Sequence, residues 1–264
     1  MPRVTSRQHA IVSECRAARR GDDPRLLLDG WHLLEDALAA GVRLDTIIVR
    51  HDVLAAHAAT IDAARAAGAR VLEATDGVMD AVSPVRASSG VVALATRPAI
   101  DPRSVTSPAP ALVVVAFGVQ DPGNVGALIR SVAAAGATGV LLDEASADPW
   151  GWKALRASMG STFCVPIVRD DQALVRLASL RAEGLLIAAA DPCGAASMYE
   201  ASLSGPLALV FGAEGSGLPA AVLAQTDVRL RIPMRPRVES LNVAVAAALL
   251  VYEAARQRHG RDDR

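Results

Sequence analysis

The chain has 264 residues, of which 52% are hydrophobic and 21% charged, and its formal net charge at pH 7 is -1. This length and composition suit one or two compact domains and exclude disordered and fibrous proteins. The balanced charge argues against nucleic-acid binding through bulk positive charge alone.

The positive side chains are 26 arginines and one lysine, and several arginines are clustered at Arg16–Arg20, Arg229–Arg237 and Arg256–Arg261. Such clusters are typical of local phosphate-binding sites. The two terminal clusters are equally consistent with arginines that simply face solvent. Eight aromatic residues are too few for a base-stacking platform. Any RNA contact should therefore depend on phosphates and shape.

The longest apolar runs, Ala111–Val119 and Val243–Tyr252, are about half the roughly 20 residues of a membrane-spanning helix. Met1–Ala10 has no apolar secretory core. We therefore expect a soluble cytoplasmic protein without membrane contact. The three cysteines are widely spaced and form no C-x-x-C motif, so we expect neither disulfides nor a metal site.

The first 97 residues alternate short strand-like runs with helical stretches, which predicts a small α/β domain. Four prolines then fall in Arg97–Pro110, and we place a proline-rich linker at 98–110. The predicted strands are Leu26–Leu28, Thr46–Arg50, Val71–Glu73 and Val91–Ala95, and the predicted helices Gly30–Ala40, Leu54–Ala67 and Gly77–Ala81.

Residues 111–264 form the second predicted domain. Its apolar strand-like runs, separated by helical segments, indicate a mostly parallel sheet covered by helices. These runs are Leu112–Phe117, Gly139–Leu142, Leu185–Ala189, Leu207–Phe211 and Val228–Ile232. Three chemically suggestive segments directly follow predicted strands, where open α/β sheets bind ligands.

The first segment, QDPGNVGALIR, ends at Arg130. Its Pro-Gly turn and Asn124, a suitable N-cap, predict a helix with Arg130 near the end of the second turn. An ordinary capped helix with a surface arginine explains this segment equally well.

The second segment, LVFGAEGSGLP, places Gly212, Gly215 and Gly217 around the lone carboxylate of Glu214. These glycines allow positive φ or a close approach of the backbone to a ligand. Their spacing matches neither the dinucleotide fingerprint nor a phosphate-binding loop, and a purely structural turn is the alternative.

The third segment runs from Ile232-Pro-Met through an arginine-rich loop to Ser240-Leu-Asn, which opens a helix reaching about Arg258. Ser240 or Asn242 can cap this helix. We expect its apolar stripe to pack and Arg258 to lie at its exposed end. The stripe comprises Leu241, Val245, Ala248, Leu249 and Tyr252.

These three segments resemble, in order and spacing, motifs 1 to 3 of the SpoU (TrmH) family of RNA ribose 2′-O-methyltransferases in the SPOUT superfamily. The intervening KALRASMGSTF is also similar to the family, and residues 1–97 resemble its L30e-like substrate-binding domain, less specifically. The resemblance implies a trefoil-knotted C-terminal fold, a homodimer, and S-adenosylmethionine as cofactor. It departs at Ala213, where many members have Asn, and at Trp152, where many have Pro.

The resemblance also implies the site residues. Arg130 and Asn124 would belong to the catalytic pocket, with Glu214, Ser240 and Asn242 supporting the pocket or RNA binding. The residues expected at S-adenosylmethionine are Leu209, Val210, Phe211, Gly212, Gly217, Ile232, Met234, Leu241 and Val243.

The expected reaction is attack of a ribose 2′-hydroxyl on the methyl group, which requires positioning and removal of a proton. Residues 111–252 contain no histidine, so the usual neutral-pH base is absent from that stretch. Arg130, with a pKa above about 12, is better suited to hydrogen-bonding the 2′-oxygen and a phosphate. The sequence leaves open whether it abstracts the proton.

Ribosomal RNA, 23S in particular, is favoured over tRNA because the N-terminal domain resembles those of rRNA-modifying members. A non-catalytic RNA-binding protein and a nucleotide-dependent α/β oxidoreductase or transferase are the rival classes. Intact Asn124, Arg130 and third motif disfavour the first, and the glycine spacing disfavours the second. Housekeeping and antibiotic-resistance roles both remain open.

Overall fold

A computed structural model describes residues 1–262, with side chains through His259. The side chain of Arg261, in the third arginine cluster, therefore lies outside the described part. None of the helices within these residues combines the length and apolar composition required to cross a membrane. The chain forms two compact units, one of residues 1–99 with 150–163 and one of residues 100–149 with 164–264.

Twelve strands and nine α-helices are assigned in residues 1–262. The strands are β1 (Arg3–Val4), β2 (Leu26–Asp29), β3 (Leu44–Arg50), β4 (Arg70–Ala74), β5 (Val91–Ala95), β6 (Leu112–Ala116), β7 (Gly139–Asp143), β8 (Ile167–Asp170), β9 (Leu186–Ala190), β10 (Ala196–Ser197), β11 (Leu207–Phe211) and β12 (Val228–Arg231). The helices are α1 (Ala10–Arg20), α2 (Trp31–Ala39), α3 (Ala58–Ala66), α4 (Asp76–Val82), α5 (Pro122–Ala134), α6 (Trp152–Ser158), α7 (Ala173–Ala182), α8 (Ala220–Leu223) and α9 (Val243–Asp262).

The first unit contains a five-stranded sheet in the order β1-β4-β3-β5-β2. Strands β1, β4 and β3 are parallel, whereas β5 runs antiparallel to both β3 and β2. Its core joins the apolar faces of α1 and α4 to the sheet, through side chains such as Ile11, Ile48, Leu72 and Met79. The predicted small α/β domain is therefore a mixed sheet with helices.

The second unit contains a seven-stranded, entirely parallel sheet in the order β10-β12-β9-β11-β6-β7-β8. Its central strands β6 and β11 are buried along their whole length, because helices cover both faces. The sequence-based prediction of a mostly parallel sheet in an α/β fold is confirmed.

The two segments joining the units differ from the sequence-based domain bounds. The units divide between Ala99 and Ile100, within the predicted 98–110 linker. Val105, although inside that predicted linker, belongs to the core of the second unit. Residues 150–163 group instead with the first unit, where Trp152 packs against the core and α6 lies along β2.

Within the single chain, two expectations for the final helix are not met. Val245, Leu249 and Tyr252 remain 48%, 41% and 52% exposed, whereas the buried stripe is formed by Val243, Ala244, Ala247, Leu250, Val251 and Ala254. The apolar stripe and the packed face of α9 are therefore different.

Arg258 does not lie at an exposed end either. Its guanidinium donates hydrogen bonds to the backbone oxygens of Pro110, Ala111 and Gly205 at 2.7 to 2.8 Å. Partial burial lowers the pKa of Arg258 from its ordinary value. Arg258 thus fastens the last helix to the beginning of β6 and the loop before β11.

Candidate active site

A cavity of about 580 Å³ opens at the carboxyl ends of β9, β11 and β12. Parallel α/β sheets place ligand sites at this edge, and the volume lies within the usual range for small-molecule pockets. Its walls are the chain after β9, the glycine turn after β11, and the segment from Ile232 to the first turn of α9. The second and third segments singled out in the sequence therefore meet.

The glycine turn needs its glycines for physical reasons. The backbone closes tightly between Ala213 and Gly217, with Gly217 N–H donating to the Ala213 oxygen at 3.0 Å. Gly215 and Gly217 have φ of 92° and 67°, values that other residues adopt only with strain. A Cβ on Gly212 would lie 2.4 Å from the Gly217 carbonyl, so no larger residue fits there.

Asn124, Glu214 and Asn242 form a hydrogen-bonded triangle. The Nδ2 atoms of Asn124 and Asn242 donate to Glu214 Oε1 at 3.0 and 2.9 Å, and Asn242 Nδ2 also lies 2.9 Å from Asn124 Oδ1. Glu214 Oε1 further accepts from Val243 N–H at 3.4 Å. One residue from each of the three segments thus meets at a single point.

Local capping holds two members of the triangle. Asp121 is the N-cap of α5, accepting from Asn124 N–H at 2.8 Å, with Pro122 at the first helical position. The expectation that Asn124 caps this helix is wrong, and its side chain is free to bind Glu214. Asn242 Oδ1 accepts from Ala244 N–H at 3.0 Å, so Asn242 caps α9 and Ser240 makes no such bond.

Arg130 lies outside this cluster. It is exposed on α5 and is not among the residues lining the cavity. Six residues advance a helix by about 600°, so Arg130 and Asn124 lie on sides of α5 about 120° apart. Within one chain the structure does not bring Arg130 to the cavity.

Most of the residues expected at the cofactor do line the cavity. They are Phe211, Gly212, Gly217, Ile232, Met234, Leu241 and Val243, together with Glu214, Ser240 and Asn242. Leu209 and Val210 are instead fully buried inside β11 and do not line it. The sequence analysis missed Ala190, Asp191, Pro192, Ser216, Leu230, Glu239 and Ala246. Asp191-Pro192 could have been found, since it follows a buried strand as the other segments do.

The charge of the cavity distinguishes between ligand classes. Asp191, Glu214 and Glu239 line it, and no Lys, Arg or His does so among the described residues. A pyrophosphate would be repelled here, whereas a sulfonium or ammonium ion would be attracted. The backbone N–H groups of Ile232, Met234 and Leu241 donate no hydrogen bond within residues 1–262 and remain available to a ligand. These features fit S-adenosylmethionine and not a dinucleotide.

The sequence also matches family models over both units. Residues 111–252 match the model described as the SpoU rRNA Methylase family. The chain belongs to this family. Residues 16–93 match the MRM3-like substrate binding domain.

Individual SpoU relatives cover almost the whole chain. The 23S rRNA (guanosine(2553)-2′-O)-methyltransferase RlmP of Bacillus subtilis is 33% identical over 226 residues, which are 86% of this chain and 86% of that protein. An AdoMet-bound rRNA methyltransferase from Sinorhizobium meliloti superposes with a TM-score of 0.85 at 30% identity, covering 96% of this chain and 97% of that one.

A second similar structure is the SpoU methyltransferase AviRb from Streptomyces viridochromogenes with AdoMet. It has a TM-score of 0.83 at 27% identity and covers 96% of this chain and 100% of that one. These full-length matches confirm the resemblance to SpoU methyltransferases with an N-terminal domain. All residues lining the cavity lie within the matched range 111–252.

Within the described residues, no group of three or more His, Cys, Asp or Glu side chains is arranged to hold a metal ion.

Proposed function

We propose that this protein transfers a methyl group from S-adenosylmethionine to a ribose 2′-hydroxyl of 23S ribosomal RNA. The observation that carries the proposal is the carboxylate-lined cavity at the ends of β9, β11 and β12, with the Asn124, Glu214 and Asn242 triangle beside it. Membership in the SpoU family and relatives named 23S rRNA 2′-O-methyltransferases support the reaction and the RNA. A cytoplasmic location is part of the same proposal, because the proposed substrate is ribosomal RNA.

The cofactor supplies an electrophilic methyl group on a sulfonium. Met234 and Leu241 would offer backbone N–H groups to the polar atoms of the cofactor. The closed turn from Gly212 to Gly217 would bring the backbone close to the cofactor. The carboxylate of Glu214 holds both asparagine amides, so Asn124 and Asn242 keep a fixed orientation. In this proposal Arg130 binds the 2′-oxygen and an adjacent phosphate, since its fork can hold both at once.

Arg130 requires a second copy of the chain to act at the cavity. Arg130 is exposed and lies on a different side of α5 from Asn124. Helix α9 packs on α5 and exposes the apolar side chains of Val245, Leu249 and Tyr252. Exposed apolar stripes of this kind mark interfaces, and most homo-oligomers are symmetric dimers. The homodimer, with Arg130 serving the partner's cavity, is therefore part of the proposal.

Two finer features rest on the family resemblance. The trefoil knot is proposed for the chain through the glycine turn, β12 and α9, where α9 returns to pack on α5 and β11. Residues 1–97 are proposed as the RNA-reading domain, a role supported by the match of residues 16–93 to a substrate-binding model.

The proposed reaction is tested with purified protein, methyl-labelled S-adenosylmethionine, and unmodified transcripts of 23S rRNA and of tRNA. We expect label in the 23S transcript, and a 2′-O-methylated nucleoside after nuclease digestion and mass spectrometry. Label in tRNA alone would assign the protein to tRNA. Cofactor binding without label in either RNA would support a non-catalytic RNA-binding role, and binding of NAD would overturn the methyltransferase.

A further inference from the structure

Several arginines of the first unit form ion pairs with carboxylates. Ion pairs of 2.6 to 3.3 Å engage Arg3, Arg20, Arg25, Arg43, Arg50 and Arg65 with Asp or Glu side chains. Arg16, Arg19 and Lys153 are exposed and have no carboxylate partner within residues 1–262. Unpaired cations keep their full charge for a partner molecule.

These three cations and Arg156 lie on two helices of the first unit. Arg16 and Arg19 are three residues apart on α1, as are Lys153 and Arg156 on α6, so each pair shares one helical face. The helices meet at Trp152. Arg19 Cζ lies 5.6 Å and Lys153 Nζ 5.7 Å from the centre of its indole ring, both within range of a cation-π interaction.

Trp152 is fixed by its surroundings, because its ring packs against the core built from α1, α4 and the sheet. Arg156 forms an ion pair, with Nη1 3.6 Å from Asp29 Oδ2 at the end of β2. Among the described residues this is the single ion pair within the set. The set of four cations thus contains one ion pair with a carboxylate, and it keeps a net positive charge.

We propose that Arg16, Arg19, Trp152, Lys153 and Arg156, hereafter the α1/α6 surface, bind the sugar-phosphate backbone of the RNA substrate. The inference rests on the proposed function, because it names the surface that holds the RNA in that reaction. Arginine and lysine are the residues that bind phosphates, and a fixed indole holds two of them without neutralising them.

The α1/α6 surface combines residues from both parts of the chain that match a family model. Residues 152–158 belong in sequence to the range 111–252 that matches the SpoU model, yet they pack with the first unit. RNA reading is then shared between residues 16–93 and this helix. Trp152 supplies the ring that holds Arg19 and Lys153.

The test measures methylation and RNA binding of the full-length double variant Arg19→Gln/Lys153→Gln with an unmodified 23S rRNA transcript. Both side chains are exposed, so we expect the fold and the affinity for S-adenosylmethionine to be unchanged. At about 0.15 M salt the KM for RNA should rise about tenfold with kcat unchanged. In the plot of the logarithm of the RNA association constant against the logarithm of salt concentration, the magnitude of the slope should fall by about 1 to 2.

Arg70→Gln is the matched control. Arg70 is exposed on β4 and forms no ion pair with the residues that the structure describes. Strand β4 lies three strands from β2 in the sheet, and the substitution also removes one positive charge. We expect its KM to stay within about twofold of wild type. An unchanged KM and salt slope in the double variant, or an equal loss in Arg70→Gln, would overturn the assignment of the surface. A wild-type protein that methylates no RNA would instead overturn the proposed function.

Discussion

Asn242 Nδ2 donates a hydrogen bond to Asn124 Oδ1 at 2.9 Å, although the two residues are 118 positions apart. The contact joins the first turn of α5 to the N-cap of α9, and Glu214 binds both amides. Helix capping and the proposed site therefore share one side chain, and variants of Asn242 can separate the two roles.

We expect Asn242→Asp to retain the helix cap and to lose methylation. An aspartate caps helices as well as asparagine does, but it donates no hydrogen bond and would place a second carboxylate against Glu214. The methylation rate at saturating RNA should fall by about a hundredfold. Asn242→Ala should lose the cap as well, with a stability cost of about 1 kcal/mol. Wild-type activity in Asn242→Asp would contradict the role of the triangle.

The role of Arg130 is tested by replacement with alanine and with lysine. We expect Arg130→Ala to slow methylation by about a hundredfold or more with unchanged cofactor affinity, because the donor acts chiefly in the transition state. Arg130→Lys keeps the charge but loses the fork, so it should also be strongly impaired. Rates come from single-turnover assays at saturating RNA and cofactor.

A suitable control for Arg130 is Arg181→Ala. Arg181 is 52% exposed on α7, and its ion pair with Asp227 is a surface pair worth less than about 1 kcal/mol. Arg258, which the sequence suggests as an exposed position, is unsuitable because its guanidinium holds three backbone oxygens. Near wild-type methylation by Arg130→Ala would show that another residue acts on the ribose.

Much of the fold could be predicted because buried parallel strands are continuous apolar runs. Leu207–Phe211 and Val91–Ala95 are strands with the predicted bounds. The strand Ile167–Asp170 was missed because half of it is charged, and the two-residue strand Ala196–Ser197 is too short for a pattern. Pairing with a neighbour, and not local sequence, makes these segments strands.

The site could be predicted only in part. Sequence motifs with a family resemblance gave most cavity residues, and the edge of a parallel sheet explains why they meet. Periodicity identified the apolar stripe of α9 but not which side is buried, because Val243, Ala247 and Leu250 form a second apolar stripe. The packing of α6 on the first unit depends on tertiary contacts of Trp152 that no local pattern contains.

Gly212→Ala should abolish cofactor binding. The added Cβ would lie 2.4 Å from the Gly217 carbonyl and 2.6 Å from Leu218 N, which forces the turn lining the cavity to move. Gly205→Ala is the matched control, since a Cβ there meets nothing within 4 Å. Calorimetry with S-adenosylmethionine should show no binding for the first variant and wild-type affinity for the second. Wild-type affinity in Gly212→Ala would exclude this turn from the cofactor site.

The stability of the first unit should depend on pH through Asp29. Burial raises the pKa of this carboxyl, while the Ser83 hydrogen bond and Arg156 oppose the rise. The folded state therefore prefers protonated Asp29. The stabilisation by the protonated carboxyl is fully present below its unfolded pKa of about 3.9, and it is lost as pH rises through the folded pKa.

Asp29→Asn removes this dependence. We expect its Tm to exceed that of wild type at pH 7, and the difference to shrink as pH falls towards about 4. Differential scanning calorimetry across that range measures both. A Tm difference that is constant with pH would show that the amide acts through packing and not through the charge.

The proposed dimer depends on the exposed stripe of α9. Leu249→Glu places a charge in the middle of this stripe, and because Leu249 is 41% exposed in the single chain, the fold of the protomer should survive. Light scattering should show a monomer that no longer methylates RNA. Val175→Glu on α7, where Val175 is 61% exposed, is the matched control and should remain a dimer with full activity.

Mixing two inactive variants tests whether the site is shared between protomers. If Arg130 of one protomer serves the cavity of its partner, a mixed dimer of Arg130→Ala and Asn242→Asp contains one cavity with intact Asn242 and intact Arg130. Random assembly makes half the dimers mixed, each with one working site, so co-expression should restore about a quarter of wild-type activity. If Arg130 served its own cavity, every site would carry one defect and no activity would return. A co-expressed mixture as inactive as its parents would therefore refute the shared site, provided that light scattering shows dimers and differently tagged chains co-purify.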